Sequence, residues 1–260
     1  MKIKGVRASS LPTLFACMKS LEYKESGVSN EYADTGSLIH KGIQAFHVLN
    51  NIDAALAVMA TVHHRDFPEA NGPKAAHHFR RYTETHQRWG AVKQSERSIA
   101  FTLAPCAIDP TKEEIVIEGT LDQIRTPGVG EVVVDMKTGS NPIKWMMRHY
   151  MPQLCAYQYG YFIETGIQPQ AAILRTQDFL QGGNVYHPVP WTWDTVINTM
   201  ENVKTLIALF RLGLQISSPG DHCEYCPAGG IENCSVNAKP VEKGRYALPL
   251  ATSIEDLLSG

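Results

Sequence analysis

The sequence predicts an α/β fold in which a mixed central β-sheet is flanked by helices. Short runs rich in β-branched residues occupy the middle of the chain, at 98–103, 114–124 and 131–136, with proline and glycine between them. Longer segments with helical apolar spacing precede and follow these runs. With 260 residues, of which 43% are apolar and 19% charged, the chain can bury a core without disulfide bonds.

The segments before the strands read as helices. Ser9 or Ser10 can cap a first helix, in which Pro12 suits the first turn. Apolar residues at helical spacing predict a second helix over about 36–50. We expect residues 52–92 to be mostly helical as well.

The three central strands are followed by a helix, two strands and another helix. A proline- and glycine-containing turn at 126–130 joins the second and third strands. Pro142 fits the first turn of a long helix that we expect to end near residue 164. Two short strands and a final helix are predicted at 171–175, 184–187 and 191–214.

Charge and targeting signals narrow the class of protein. The chain has 24 Lys and Arg residues and 26 Asp and Glu residues, which gives a net charge of −2. This net charge excludes a polycation that coats nucleic acid, but it is compatible with a local basic groove. No apolar run is long enough to span a membrane, and the first residues do not read as a signal peptide. We therefore expect a cytoplasmic protein, in the host cytoplasm if the protein is viral.

Two aspartates and a lysine are predicted to meet at the end of the strand hairpin. Asp122 lies on the second strand; Asp135 and Lys137 lie two residues apart on the third, so their side chains point the same way. Paired carboxylates can hold Mg²⁺ or Mn²⁺, and a neighbouring ammonium can orient or deprotonate a water and offset charge on a phosphate. The alternative is an ordinary strand that ends in a surface Asp–Lys pair.

The long helix after the strands carries two further pairs at i, i+4. Gln153 and Tyr157 share one helix face. Lys144 and Arg148 share another near the helix start, where cations suit a phosphate backbone, although a solvated face is the better interpretation of this pair. His40 can serve as a third ligand to Mn²⁺, although a single helical histidine is more often structural.

Two stretches, at 77–82 and 144–149, mix basic and aromatic residues. Because bases stack on aromatic rings and phosphates meet cations, either stretch can line a groove for a nucleic-acid strand. A solvated helix face explains the first stretch at least as well.

Three cysteines crowd together near the end of the sequence, at Cys223, Cys226 and Cys234. Their spacing is typical of a metal site that needs a fourth ligand. His222 would complete a tetrahedral zinc site, whereas Cys17 would give the four thiolates that suit an iron–sulfur cluster. A loop without a metal is the third interpretation.

Four motifs, in order, resemble those of the RecB-type branch of the PD-(D/E)XK nuclease superfamily. They are G-S-L-I-H ending at His40, G-T-L-D ending at Asp122, D-M-K from Asp135 to Lys137, and Q-L-C-A-Y from Gln153 to Tyr157. The resemblance covers roughly residues 8–235 and implies a restriction-endonuclease-like core. Gly-Thr-Leu-Asp replaces the literal Pro-Asp of the first half-motif, a departure usual for this branch.

The resemblance also implies roles for single residues. The catalytic metal would be held by three side chains and a backbone carbonyl, from His40, Asp122, Asp135 and Met136. Lys137 would serve the attacking water, and Gln153 with Tyr157 would contact DNA or support the site. Glu96 stands where some members carry another acidic residue.

The iron–sulfur branch of these nucleases, which includes AddB-type and CRISPR-associated exonucleases, has one cysteine before the core and three after it. The resemblance thus implies a [4Fe–4S] cluster on Cys17, Cys223, Cys226 and Cys234, with Zn²⁺ as the alternative. We expect one nuclease domain over residues 1–260. Its parts would be a helical part at 1–95, a catalytic core at 96–215 and the cysteine cluster at 216–240.

The activity implied is that of a Mg²⁺- or Mn²⁺-dependent DNA exonuclease. Its substrate would be single-stranded DNA or DNA ends. The resemblance implies a role in recombination, repair or CRISPR-type DNA processing, with a protein of one of those pathways as a partner. It also allows a homo-oligomer. The alternative is a non-catalytic DNA-binding or assembly module. The intact Asp122, Asp135 and Lys137 argue against that alternative.

Overall fold

The computed structural model describes residues 5–18, 31–128, 130–180 and 184–214. These ranges form β1 (Gly5–Arg7), α1 (Leu11–Ala16), α2 (Glu31–Leu49), α3 (Ile52–Asp66), α4 (Gly72–Thr85), β2 (Ala91–Leu103), β3 (Ile115–Thr126), β4 (Val132–Lys137), α5 (Ile143–Thr165), β5 (Gln170–Arg175), β6 (Tyr186–Pro188) and α6 (Trp193–Arg211). None of the helices within these ranges is long and apolar enough to cross a membrane.

The strands form one mixed sheet in which β3 has three partners. Along one edge β3 pairs antiparallel with β2. Its other edge pairs in parallel with β1 at 116–118 and antiparallel with β4 at 123–125. The sheet continues through β5, parallel to β4, to β6, antiparallel to β5. The predicted α/β fold with a mixed sheet is confirmed.

Helices cover both faces of this sheet, as the alternation along β4 shows. Val133 packs into a core that includes residues of α5 and α6, whereas Val132 and Val134 pack into a second core with α2, α3 and α4. Because both faces are buried, the pairing of β4 with β3 and β5 sets its register, and the valines suit either face. The same register fixes the place of Asp135, the next residue along the strand.

The strand β2 is longer than predicted. It begins at Ala91, where the sequence predicts the end of a helical region, and only residues 98–103 read as a strand. Residues 91–97 are mostly polar and show no clear alternation. Hydrogen bonds to the second half of β3 make them a strand, so tertiary pairing prevails over local propensity.

Differences at the other boundaries are smaller. The helix α2 begins at Glu31, five residues before the predicted start at 36. The strand β1 was not predicted, because its three residues are extended only through their pairing with β3. Ser10 is the N-cap residue of α1, but its side chain makes no capping hydrogen bond.

The helix α5 has two parts that differ in environment. From Pro152 to Tyr161 most of its residues are buried, whereas Lys144, Trp145 and Arg148 near its start are exposed. Pro152 lies at the junction and has no N–H to donate within the helix.

Candidate active site

Asp122 and Asp135 lie where β4 separates from β3. The pairing of the two strands ends at Gln123 and Val134, so Asp122 and Asp135 are the next residues along the strands. Beyond this point the backbone N–H of Met136 donates to Asp122 Oδ2 at 2.5 Å. A carboxylate thus replaces a strand partner at the end of the ladder, and both acids border an open pocket.

His40 reaches the same point from α2. Its Nδ1 lies 3.2 Å from Asp122 Oδ1. One turn earlier, a Cβ on Gly36 would lie only 2.8 Å from Thr138 Oγ1, just after β4. The glycine of the G-S-L-I-H motif therefore permits the close approach of α2 that brings His40 to Asp122.

Glu96 adds a third ligand group opposite Asp122. It lies on β2 with a φ of 53°, in the left-handed region that a residue with a Cβ rarely adopts. His40, Glu96 and Asp122 each offer one ligand atom, and these atoms lie within 4.8 Å of one another. Strained backbone of this kind is found at functional sites, where the surrounding structure maintains it.

A second cluster of side chains, beside His40, Glu96 and Asp122, joins β4 to α5. Lys137 Nζ lies 2.9 Å from Asp135 Oδ2 and 3.9 Å from the centre of the Tyr150 ring. The Gln153 amide donates to Asp135 Oδ1 at 3.3 Å and to the Tyr157 hydroxyl oxygen at 3.0 Å. Lys137 Nζ in turn donates to Gln153 Oε1 at 3.4 Å. The lysine is thereby held between a carboxylate, an amide and an aromatic face.

One pocket of about 400 Å³ brings these groups together. Its lining includes the predicted side chains His40, Asp122, Asp135, Lys137, Gln153 and Tyr157, together with Glu96 and Met136. Lys144 and Arg148 are exposed on α5 and do not line it.

The family model of the PD-(D/E)XK nuclease superfamily matches residues 12–231, which is most of the chain. The chain belongs to the PD-(D/E)XK nuclease superfamily. No curated protein matches it.

Two solved structures are similar to this chain. One is a protein from Eubacterium rectale, provisionally named an exonuclease: it is 16% identical, the match covers 99% of this chain and 94% of that one, and the TM-score is 0.51. Another, SSO0001, is 12% identical with a TM-score of 0.39, over 85% of this chain and 94% of that one.

Charged groups in this candidate site shift one another's pKa. Burial works against the charge of His40, but Asp122 and Glu96 outweigh it and raise the pKa of the imidazole to about 9. Burial likewise opposes the charge of Asp122, yet His40 and Lys137 lower the pKa of this carboxyl. Because a metal ion needs a neutral imidazole, a cation that binds here displaces the His40 proton.

Asp135 and Lys137 form an ion pair. Asp135 is 3% exposed, and burial raises its pKa. Burial also works against the charge of Lys137, but Asp135 and its other neighbours outweigh it and raise the pKa of the ammonium. Although Lys137 Nζ is close, Asp135 Oδ2 has no partner with hydrogen-bond geometry among the described residues. A buried oxygen of this kind is available as a ligand to a metal ion.

A polar network that the sequence analysis missed lies behind the site. The Tyr82 hydroxyl oxygen accepts hydrogen bonds from Gln123 Nε2 at 2.7 Å and Arg125 Nη2 at 2.8 Å, and it lies 2.5 Å from His47 Nε2. Arg125 is fully buried, and its guanidinium lies over the Trp89 ring. The network ties α2 and α4 to β3, next to Asp122. It joins distant parts of the chain, so no local motif marks it.

The stretch at 77–82 contributes mainly to the core. His78, Phe79 and Tyr82 are buried, and His78 Nδ1 donates to the carbonyl oxygen of Thr176 at 3.1 Å. The prediction that this stretch lines a nucleic-acid groove is therefore wrong for its aromatic residues, because Phe79 and Tyr82 face the protein interior.

The cysteine site is only partly within the described residues. Cys17 follows α1 as a partly buried free thiol. Cys223, Cys226 and Cys234, like His222, lie outside the described residues.

Proposed function

We propose that this superfamily member is a DNA exonuclease that uses Mg²⁺ or Mn²⁺ to hydrolyse phosphodiester bonds in single-stranded DNA or at DNA ends. The proposal depends above all on one observation. A three-ligand group of His40, Glu96 and Asp122 shares its pocket with the Asp135–Lys137 pair. Nitrogen and carboxylate oxygen donors suit Mn²⁺, and carboxylates suit Mg²⁺.

The residues present fit such an ion. His40, Glu96 and Asp122 would hold it, and the Asp135 Oδ2 that lacks a hydrogen bond would complete the set with the backbone carbonyl of Met136. When bound, a divalent ion stabilises negative charge on phosphate oxygens and makes water more acidic.

The chain's own groups would position the substrate and the attacking water. Lys137 Nζ, held by Asp135 and the Tyr150 ring, would donate a hydrogen bond to the water or to a phosphate oxygen and offset the charge that develops there. Gln153 and Tyr157 would fix Asp135 and Lys137 in place, or contact the DNA from α5. The exposed Lys144 and Arg148 would meet the phosphate backbone outside the pocket.

The direct test is digestion of end-labelled single- and double-stranded DNA in Mn²⁺, in Mg²⁺ and with chelator. The wild-type protein is compared with Lys137→Ala and with Lys74→Ala, a matched change of an exposed lysine on α4. We expect metal-dependent release of the terminal label that Lys137→Ala abolishes and Lys74→Ala retains. If wild type binds DNA but leaves it intact under every condition, the protein is a non-catalytic DNA-binding or assembly module.

We also propose that Cys17, Cys223, Cys226 and Cys234 bind a [4Fe–4S] cluster, with Zn²⁺ as the alternative. The support is the family layout of one cysteine before the core and three after it, and the thiol of Cys17 just after α1. Iron and acid-labile sulfide in anaerobically purified protein, both lost in Cys17→Ala, are the expected result. Zinc without sulfide would favour the zinc site.

The proposed exonuclease would act as a single domain in recombination, repair or CRISPR-type DNA processing, with a protein partner from such a pathway. Support for an exonuclease comes from the superfamily and from the name of the Eubacterium rectale protein that shares its fold.

A further inference from the structure

An aromatic stack leads from the pocket to the surface of α5. Tyr150, whose ring holds the Lys137 ammonium, meets the His149 ring edge to face with centroids 4.8 Å apart. His149 in turn lies parallel to Trp145, with centroids 4.5 Å apart and an angle of 14° between the rings. The Trp145 centroid is 6.3 Å from that of Tyr150, so a single ring separates the indole from the lysine of the site.

The outer member of this stack is open to solvent. Trp145 is 45% exposed, whereas the core beneath this end of α5 is filled by Met146, Leu154 and Ile173. Single exposed aromatic residues are common and need no special explanation. Here the indole is held parallel to His149 while 45% of its surface stays exposed, so a second planar group has room to stack on it.

The surroundings of Trp145 have the charge that a nucleic-acid strand requires. Lys144 and Arg148 are exposed beside it, at i, i+4 on the neighbouring part of the helix surface. A site for single-stranded nucleic acid combines two elements: cations that bind the phosphates and an aromatic ring on which the bases stack. A paired base in the interior of a duplex offers no free face to such a ring, because both of its faces are stacked on neighbouring bases.

We propose that Trp145 is a base-stacking platform that selects an unpaired nucleobase of the substrate strand close to the scissile phosphate. This inference rests on the proposed function and names its substrate class, a strand that is single-stranded where it enters the pocket. Trp145 is a binding residue in this proposal, and the reacting groups are those that line the pocket.

The test compares strands with and without bases. Two single-stranded oligonucleotides of equal length are used, one of thymidine and one of abasic deoxyribose phosphate. The proteins are wild type, Trp145→Ala, Trp145→Phe and Ile163→Ala, the last a matched change of an exposed apolar residue at the far end of α5. Turnover is measured in Mn²⁺, and binding is measured by fluorescence anisotropy in chelator.

Because stacking of one base changes affinity by about 5- to 150-fold, Trp145→Ala is expected to reduce the preference for the thymidine strand by that factor. Trp145→Phe should restore most of the preference, and Ile163→Ala should leave it as in wild type. An unchanged preference in Trp145→Ala would overturn the proposal, and so would an equal loss on both strands, since that indicates a structural or phosphate-binding role.

The two proposals fail in distinguishable ways. If wild type degrades neither strand, the proposed nuclease activity is wrong, while the binding preference still decides the role of Trp145. If wild type degrades both strands equally and Trp145→Ala does the same, the activity stands and the stacking site is wrong.

Discussion

Replacing Tyr82 by phenylalanine would remove one oxygen from the network behind the site and nothing else. That oxygen accepts hydrogen bonds from Gln123 and Arg125 and lies against His47 Nε2. Its proton can be donated to His47, whose pKa is lowered to about 4 by burial and by the charges of His86 and Arg125. The hydroxyl therefore uses both its acceptor and its donor capacity.

The cost of Tyr82→Phe follows from the groups it leaves behind. Two buried donors, on Gln123 and Arg125, lose an acceptor, and each such loss costs about 1–3 kcal/mol. Arg125 keeps its bonds to the carbonyl oxygens of His86 and Gly90, and contributions within one network do not add fully. We therefore expect the free energy of unfolding to fall by about 2–4 kcal/mol.

The network should also affect metal binding. Gln123 is the neighbour of Asp122 on β3, and His47 is seven residues after His40 on α2, so the Tyr82 hydroxyl holds together the two elements that carry these proposed ligands. Groups that orient metal ligands alter affinity by about 10- to 100-fold. A loss of about tenfold in Mn²⁺ affinity is expected for Tyr82→Phe.

Urea denaturation and calorimetric titration with Mn²⁺ measure the two effects. Tyr161→Phe is the matched control, because this buried hydroxyl makes a bond of 2.5 Å to Glu131, which keeps its contact with Lys93. The control loses a hydrogen bond to a charged carboxylate, so its stability should fall by about 1.5–3 kcal/mol, but it should keep its Mn²⁺ affinity. Equal losses of Mn²⁺ affinity in the two variants would refute the account of the network.

Three further predictions concern single positions. Because Glu96 has a positive φ, Glu96→Gly should be more stable than Glu96→Ala by about 1 kcal/mol in thermal denaturation, and equal stabilities would show that the backbone is unstrained. Glu96→Gln should weaken Mn²⁺ binding by about tenfold or more in calorimetry, and unchanged affinity would remove Glu96 from the ligand set. Unfolded His47 takes up a proton below about pH 6.5, but folded His47 only near pH 4, so the contribution of His47 to the free energy of unfolding should fall as the pH falls through this window. After allowance for partial exposure the loss is about 1–2 kcal/mol, and it should be absent from His47→Gln in urea denaturation at pH 7 and pH 5.

Much of the pocket could be predicted because its residues follow regular local patterns. Asp135 and Lys137 share a side of β4 by the period of a strand, and Gln153 and Tyr157 share a face of α5 by the period of a helix. The structure places all four in one pocket with Asp122. Their catalytic roles remain a prediction until the variants are measured.

Other features depend on contacts between distant residues and leave no local pattern. The polar first half of β2 becomes a strand only through β3, and this pairing places Glu96 opposite Asp122. An arginine at the end of a strand is usually exposed, yet Arg125 is fully buried, since the Gln123 amide oxygen, the Tyr82 hydroxyl and two backbone carbonyls accept hydrogen bonds from its guanidinium.

The division of α5 at Pro152 bears on how the protein can change over evolution. Gln153 and Tyr157 lie in the buried part, where a substitution disturbs the core, whereas Lys144, Trp145 and Arg148 lie in the exposed part, where most substitutions change stability little. Under the proposed roles, the preference for a DNA strand can therefore diversify, or be redesigned, in the first turns of one helix while the proposed hydrolytic centre stays constant.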